Sequence, residues 1–233
     1  MRANPNYCIL FPRLAFCRHP TRCTGHLRAP SLDPNTVPSG GYAQSKWVAE
    51  SLVRTAQARG LPVCIYRSGA ISGHSQTGVF NHNDFLYKLI QGCIQLGQVP
   101  ATEMTLNLLP VDYVSRAIVY LSQQQTSIGK VFHLVHPQPV SSTLLFDLLR
   151  SRHYNIQSVP YDQWRQSLLN IAQHSPIIPL LDCPLFSTSH TQSQTERAMS
   201  LEFDCQNTNQ ALIHSHISCP PLIPTYSPPT SII

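Results

Sequence analysis

The run Gly60-Leu61-Pro62-Val63-Cys64-Ile65-Tyr66-Arg67-Ser68-Gly69 restricts the fold more than any other stretch. Its apolar residues do not alternate with polar ones, so a strand built from them is buried on both faces. Such a strand belongs in a parallel sheet with helices on either side. The glycines punctuate it: Gly60 closes the preceding element and Ser68-Gly69 opens a turn. Tyr42 to Arg59 reads as a helix with Gly60 as its C-cap. Ser45, Val48, Ala49, Leu52 and Ala56 recur at helical spacing as its expected buried stripe.

The chain beyond repeats the alternation. Asn81 to Leu96 carries Phe85, Leu86, Leu89, Ile90, Cys93 and Leu96 at helical spacing and ends at Gly97. Met104 to Leu109 follows, and Pro110-Val111-Asp112 leads into a helix from Tyr113 to Leu121 with Asp112 as the expected N-cap. Lys130 to Val135 reads as another strand, Ser142 as the cap of a helix over Thr143 to Arg150, and Tyr161 to Gln173 as a last helix. Each apolar stripe is read as core packing, and none is assigned a site. Strands alternating with helices give an α/β fold. From about Ile177 onward proline, serine and threonine become frequent and the pattern fades.

Composition narrows the function. The 233 residues suffice for one large domain or one and a half ordinary ones, with material for a core. The net charge of +5 is densest in Arg2, Arg13, Arg18, Arg22 and Arg28, in a segment with no helical or strand period. No aromatic platform is interleaved there, which argues against a nucleic-acid partner. None of the eight cysteines forms a C-x-x-C pair, and Cys64 and Cys93 sit inside apolar patterns as small hydrophobes. Cys17, Cys23, His19 and His26 match no zinc spacing, so no metal is expected. No stretch approaches the ~20 apolar residues of a membrane span. The apolar patch from Tyr7 to Phe16 is broken by Pro12 and Arg13 and is too short for a secretory signal. The expectation is a reduced, cytoplasmic protein with no membrane partner. Residues 1–31 read as an irregular arm.

Chemistry enters at Gly41-Tyr42-Ala43-Gln44-Ser45-Lys46. A tyrosine and a lysine four residues apart share one helix face, a turn apart. The ammonium favours the phenolate and lowers the phenol from its free value near ~10. Such a phenol can pass a proton to a carbonyl oxygen while a nicotinamide delivers hydride to the carbon, with the lysine holding the nicotinamide ribose. The same spacing also arises on ordinary exposed helix faces, so the surroundings must decide. In open α/β sheets ligands bind beyond the carboxyl ends of strands, here Arg67-Ser68-Gly69-Ala70-Ile71-Ser72-Gly73. A plain glycine turn accounts for those residues equally well.

Four ordered motifs, GYAQSKWVAE, YRSGAISGHSQTG, LLPVDYVSRAIVYLS and KVFHLVHPQPVS, closely resemble thioester reductase domains. These are the terminal reductase modules of nonribosomal peptide and polyketide synthetases and of carboxylic acid reductases, within the extended short-chain dehydrogenase/reductase superfamily. The similarity runs from about Leu32 to about Pro221 and includes LEFDCQNT and ISCPP. The resemblance implies the second half of a Rossmann-like doubly wound parallel sheet over residues 32–136. A smaller substrate- and carrier-facing part would span 137–221, with an irregular tail at 222–233. It implies NADPH-dependent reduction of a thioester on the phosphopantetheine arm of an acyl- or peptidyl-carrier protein. Hydride attack gives a hemithioacetal that collapses to an aldehyde, in some members reduced again to an alcohol. Tyr42 would be the proton donor, Lys46 would tune it and bind the ribose, and Ser68, Gly69 and Ile71 would line the nicotinamide side. Ser68 stands where the family more often has proline.

Two features of the family pattern are absent. None of the ten glycines forms a G-x-x-G-x-x-G or G-x-G-x-x-G loop for the pyrophosphate, and the Ser/Thr motif upstream of the tyrosine is not displayed. The expectation is an N-terminally truncated domain whose lost strands leave apolar surface and poor solubility. Phe11 to Phe16 can be written by codons that, read two bases along, spell Ser-Thr-Leu-Ser-Val, a motif of the missing kind. Residues 1–31 thus read as a shifted-frame translation of the lost strand, and the tail as a second shift. The alternative is an inactive remnant, at most a carrier-protein contact module. Whether the chain is an enzyme stays open at the level of sequence. A nucleotide-sugar epimerase shares the Tyr-Lys pair, but the C-terminal motifs argue against it.

Overall fold

A computed structural model describes residues 7–12, 41–172 and 205–221. The apolar run becomes strand β2 (Val63–Ser68), buried at all six positions. It is the centre of a parallel sheet, flanked by β1 (Tyr7–Pro12) and β7 (Val131–Leu134). The register runs Tyr7 opposite Val63 to Pro12 opposite Ser68 on one side, and Ile65 opposite Val131 to Ser68 opposite Leu134 on the other.

Period two sends alternate β2 side chains to opposite faces. Val63 and Ile65 pack with Val53 of helix α1 (Gly41–Ala58), while Cys64 and Tyr66 join the larger core beneath α3 (Val111–Ser122). Tyr66 stacks on Phe132 of β7 with ring centroids 5.6 Å apart. Helix α6 (Gln206–Leu212) closes this second face by inserting Leu212. Helices on both faces of a parallel sheet make a Rossmann-like α/β fold.

A second core gathers α2 (Phe85–Leu96), α4 (Ser142–Ser151) and α5 (Tyr161–Ala172) around Val99, Met104 and Ile156. It draws residues from both sides of residue 137. Short strands stitch it: β4 (Gln98–Pro100) parallel to β9 (Gln157–Val159), and β5 (Thr105–Leu106) antiparallel to β8 (Val140–Ser141). Strand β3 (Ala70–Ser72), just past Gly69, pairs in parallel with β6 (Leu108–Pro110).

Several expectations need correction. Residues 7–12 of the expected irregular arm form a strand, because the edge of β2 supplies hydrogen bonds to this short apolar run. The stripe expected on α1 is turned outward at Val48 and Leu52, 48% and 66% exposed, while Ala49 packs inward beside Val53 and Glu50 also faces inward. Asp112 lies inside the first turn of α3, whose N-cap is Pro110, and Ser141 rather than Ser142 caps α4. Ser142 instead accepts the Met104 N–H at 2.9 Å. Helix α2 begins at Phe85 with Asp84 as its cap, and Gly97 ends it at φ 64° as expected. The cysteines 17 and 23, histidines 19 and 26, the residues 201–204 of LEFD and the tail 222–233 lie outside the described residues. Among the described residues no helix is long and apolar enough to cross a membrane, and no His/Cys/Asp/Glu group could hold a metal.

Candidate functional site

Helix α1 enters the site through an ion pair. Glu50 and Arg67 are 4% and 7% exposed, and the carboxylate accepts from Arg67 Nε at 3.2 Å and from Nη2. Arg54, one turn on, donates to the same carboxylate from Nε at 3.0 Å and Nη2 at 2.7 Å. Burial alone pushes the Glu50 carboxyl up. The hydrogen bonds and charge of Arg67, then those of Arg54, outweigh it and hold the group below the usual carboxylate range. On its far side Arg67 Nη1 meets His133 Nε2 at 3.3 Å. A guanidinium has no acceptor, so His133 offers it a lone pair.

The position of this pair shows where the Tyr-Lys motif sits. Arg67 is one residue from the carboxyl end of β2, and α1 runs back along β2 from the tight connection at 59–62. Lys46 lies ~6 Å further toward the helix N-terminus than Glu50, whereas Ser68 lies only ~3 Å beyond Arg67. Half-buried Lys46 therefore stands at the carboxyl end of the strand, and the backbone of Tyr42 lies one turn further.

At that end the other three expected residues occupy different surroundings. Ser68 is wholly buried on the face of β2 opposite α1, and its hydroxyl has no hydrogen-bond partner among the described residues. Gly69 donates its N–H to the Leu134 carbonyl at 2.9 Å. A Cβ on Gly69 would come within 2.6 Å of Asn107 Oδ1 and 2.8 Å of its carbonyl oxygen, so protein packing already demands glycine. Half-buried Ile71 packs on the core beneath α3. Lys46 and Ser68 thus approach the end of one strand from opposite faces.

Asn107 joins this turn to the rest of the edge. Its carbonyl accepts the Ala70 N–H at 3.0 Å, and its Oδ1 accepts the His136 N–H at 2.9 Å. His136 Nδ1 accepts from Gln138 N–H at 3.0 Å, so Nε2 carries the proton it gives to the Pro220 carbonyl at 3.1 Å. The KVFHLVHP and ISCPP motifs meet there. Past β3, Asp112 takes the Ser75 N–H and hydroxyl, each at 2.9 Å, and holds the 73–78 turn. Burial raises its carboxyl, but the Ser75 hydrogen bonds prevail and lower it.

The family model described as male sterility protein, an NAD-binding family, matches residues 24–118. The L-2-aminoadipate reductase large subunit of Eremothecium gossypii is 37% identical over 179 residues, 73% of this chain and 13% of that protein. A linear gramicidin synthase polypeptide of Brevibacillus parabrevis is 31% identical over 185 residues, 78% of this chain and 4% of that protein. Among solved structures, the terminal R domain of the myxalamid PKS-NRPS pathway superposes with a TM-score of 0.70 at 41% identity. The match covers 79% of this chain and 46% of that one. The chain belongs to the terminal reductase-domain family. It spans about half of that solved reductase domain and a small part of the curated relatives.

The reductase family binds a nicotinamide dinucleotide. The chain fits one end of such a ligand: a buried, unpartnered hydroxyl at Ser68 and an amine at Lys46 border the carboxyl edge of the sheet. No described residue forms a glycine-rich turn at a helix start for a pyrophosphate. Sequence reasoning placed Arg67 at this edge but missed its pairing with Glu50, and it missed Asn107 and His136. A signal existed for the pairing. An arginine in a strand buried on both faces needs an anion, and Glu50 is the sole acidic residue in positions 34–83. Asn107 and His136 gave no comparable sign, because their partners are backbone groups brought together only by the fold.

Proposed function

We propose that this domain serves NADPH-dependent reduction of a carrier-protein-bound acyl or peptidyl thioester to an aldehyde. The observation that carries the reading is the register of α1 on β2. The Glu50–Arg67 contact sets Lys46 and the Tyr42 position at the carboxyl end of the central strand, in a chain 41% identical to a terminal R domain. The cofactor would supply hydride to the thioester carbon. Tyr42 gives its phenolic proton to the oxygen as hydride adds. The hemithioacetal then collapses with its C–S bond breaking and its hydroxyl proton passing to the departing thiol, which leaves the aldehyde. Lys46 favours the phenolate and holds the ribose hydroxyls, and Ser68, Gly69 and Ile71 border the nicotinamide end. An orphaned hydroxyl at Ser68 supports a polar ligand group there. The choice of NADPH over NADH, the carrier-protein partner with its phosphopantetheine arm, and a cytoplasmic location are parts of the same proposal.

A second reading is favoured by one specific observation. With no glycine-rich loop among its ten glycines, the chain lacks a recognisable cradle for the pyrophosphate. It would then be an inactive remnant that at most contacts a carrier protein. Titration of the purified chain with NADPH, followed by nicotinamide fluorescence, separates the two. Binding, with aldehyde formed from an acyl-pantetheine thioester and lost in Tyr42→Phe, supports the reductase. Absence of binding at millimolar NADPH leaves the remnant.

A further inference from the structure

Burial of apolar area alone would rotate α1 the other way. Its outward side carries Val48 and Leu52, 48% and 66% exposed, while a glutamate faces the sheet. Among the described residues the apolar contact beneath it is Val53 meeting Val63 and Ile65, with Ala49 and Val131 beside them. The exposed Val48 and Leu52 and the inward Glu50 point to a polar contact in the rotation of this helix. The Glu50–Arg67 pair has the required geometry. Both carboxylate oxygens are engaged by the guanidinium fork, Oε1 also receives Arg54, and Nη1 rests on His133 Nε2. The carbonyl of His133 is in turn held by the Thr208 hydroxyl at 2.8 Å, which ties the arrangement to α6. A slip of α1 by one residue turns Glu50 by ~100° and breaks the fork. A buried ion pair contributes little net stability over an apolar pair of similar shape, so stability alone does not account for it.

We propose that Glu50 and Arg67 are positioning residues for the site: their forked contact fixes the rotation and axial register of α1, and so the place of Lys46 and Tyr42 at the end of β2. The functional meaning of that place rests on the reductase reading above, but the geometry does not. The test uses the full chain without cofactor. Its three lysines, Lys46, Lys88 and Lys130, lie in separate peptides, so limiting acetic anhydride at neutral to mildly alkaline pH reports on each by mass spectrometry. In Glu50→Gln, half-buried Lys46 should label roughly three- to tenfold faster, the factor expected for loss of a charge-assisted contact nearby. Lys88 and Lys130 should stay at the parent rate.

Arg67→Lys keeps the charge and loses the fork, and it carries the test if Glu50→Gln does not fold. It should accelerate Lys46 by a similar factor. An unchanged Lys46 rate in Arg67→Lys would overturn the proposal, because charge neutralisation would then suffice. Equal acceleration of all three lysines would also overturn it, since general loosening would be the cause. Failure of the parent chain to bind NADPH removes the reductase reading and leaves the labelling result standing.

Discussion

Replacing Gly69 by alanine tests how tightly the site edge is built. The new Cβ would sit 2.6 Å from Asn107 Oδ1 and 2.8 Å from the Asn107 carbonyl oxygen, closer than real contacts allow. Neither oxygen retreats cheaply, because Oδ1 accepts the His136 N–H and the carbonyl accepts the Ala70 N–H. Gly69 is not among the glycines with positive φ, so backbone strain adds nothing. Overpacking costs about 1–3 kcal/mol and a displaced hydrogen bond about 1 kcal/mol, which gives a loss of about 2–4 kcal/mol for Gly69→Ala. Asn107→Ala alone strands a buried N–H and should cost about 1–3 kcal/mol. In the double variant the carboxamide clash is gone while the carbonyl clash remains. Its cost should therefore fall below the sum of the single changes yet exceed that of Asn107→Ala. Urea unfolding followed by Trp164 fluorescence measures all three. A Gly69→Ala chain within about 0.5 kcal/mol of the parent, or strict additivity of the pair, would refute the packing argument.

Other outcomes follow from the same contacts. Glu50 titrates below its ordinary value of 4.5 in the folded chain, so its stabilisation is present above that pH and is lost as pH falls through the lowered value. Acid unfolding should therefore steepen below that pH, and Glu50→Gln should flatten the profile. Burial pushes the Cys93 thiol up to about 11 despite the Trp164 hydrogen bond, and burial together with the Asp112 charge pushes Cys219 up to about 12. Both should resist iodoacetamide at mildly alkaline pH until the chain unfolds, and rapid native-state labelling of Cys93 would contradict its burial. Polar replacement of Val48 and Leu52 should raise soluble yield with little change in unfolding free energy, as these side chains contribute little buried area. Nucleotide sequencing through codons 1–31 decides the origin of the arm. A frame two bases along that encodes Ser-Thr-Leu-Ser-Val would explain why residues 7–12 pair with β2, and its absence would end the shifted-frame reading.

The sequence alone determined the central strand and its enclosure. An apolar run bounded by glycines has few ways to satisfy both its backbone and its side chains, and β2 is buried at every position as that run requires. Gly60 and Gly97 end their helices at positive φ, where other residues are strained. Long periodic helices such as α3 and α5 were likewise legible, since Leu121, Trp164 and Leu168 bury where their spacing puts them. The motif around Tyr42 and Lys46 was legible as a candidate, but not its location.

Tertiary structure decided the rest. On α1 the apolar spacing pointed to Val48 and Leu52, and the fold buried Glu50 instead, where it meets the forked guanidinium that the sheet presents at Arg67. Strand β1 has no sequence period, and the free hydrogen-bonding edge of β2 made it a strand. The need for Gly69 comes from Asn107, 38 residues away, and no local pattern can encode a contact between segments whose approach the whole core sets. Local sequence fixes what a segment can form; which face it turns to its neighbours depends on partners that only the folded chain brings near.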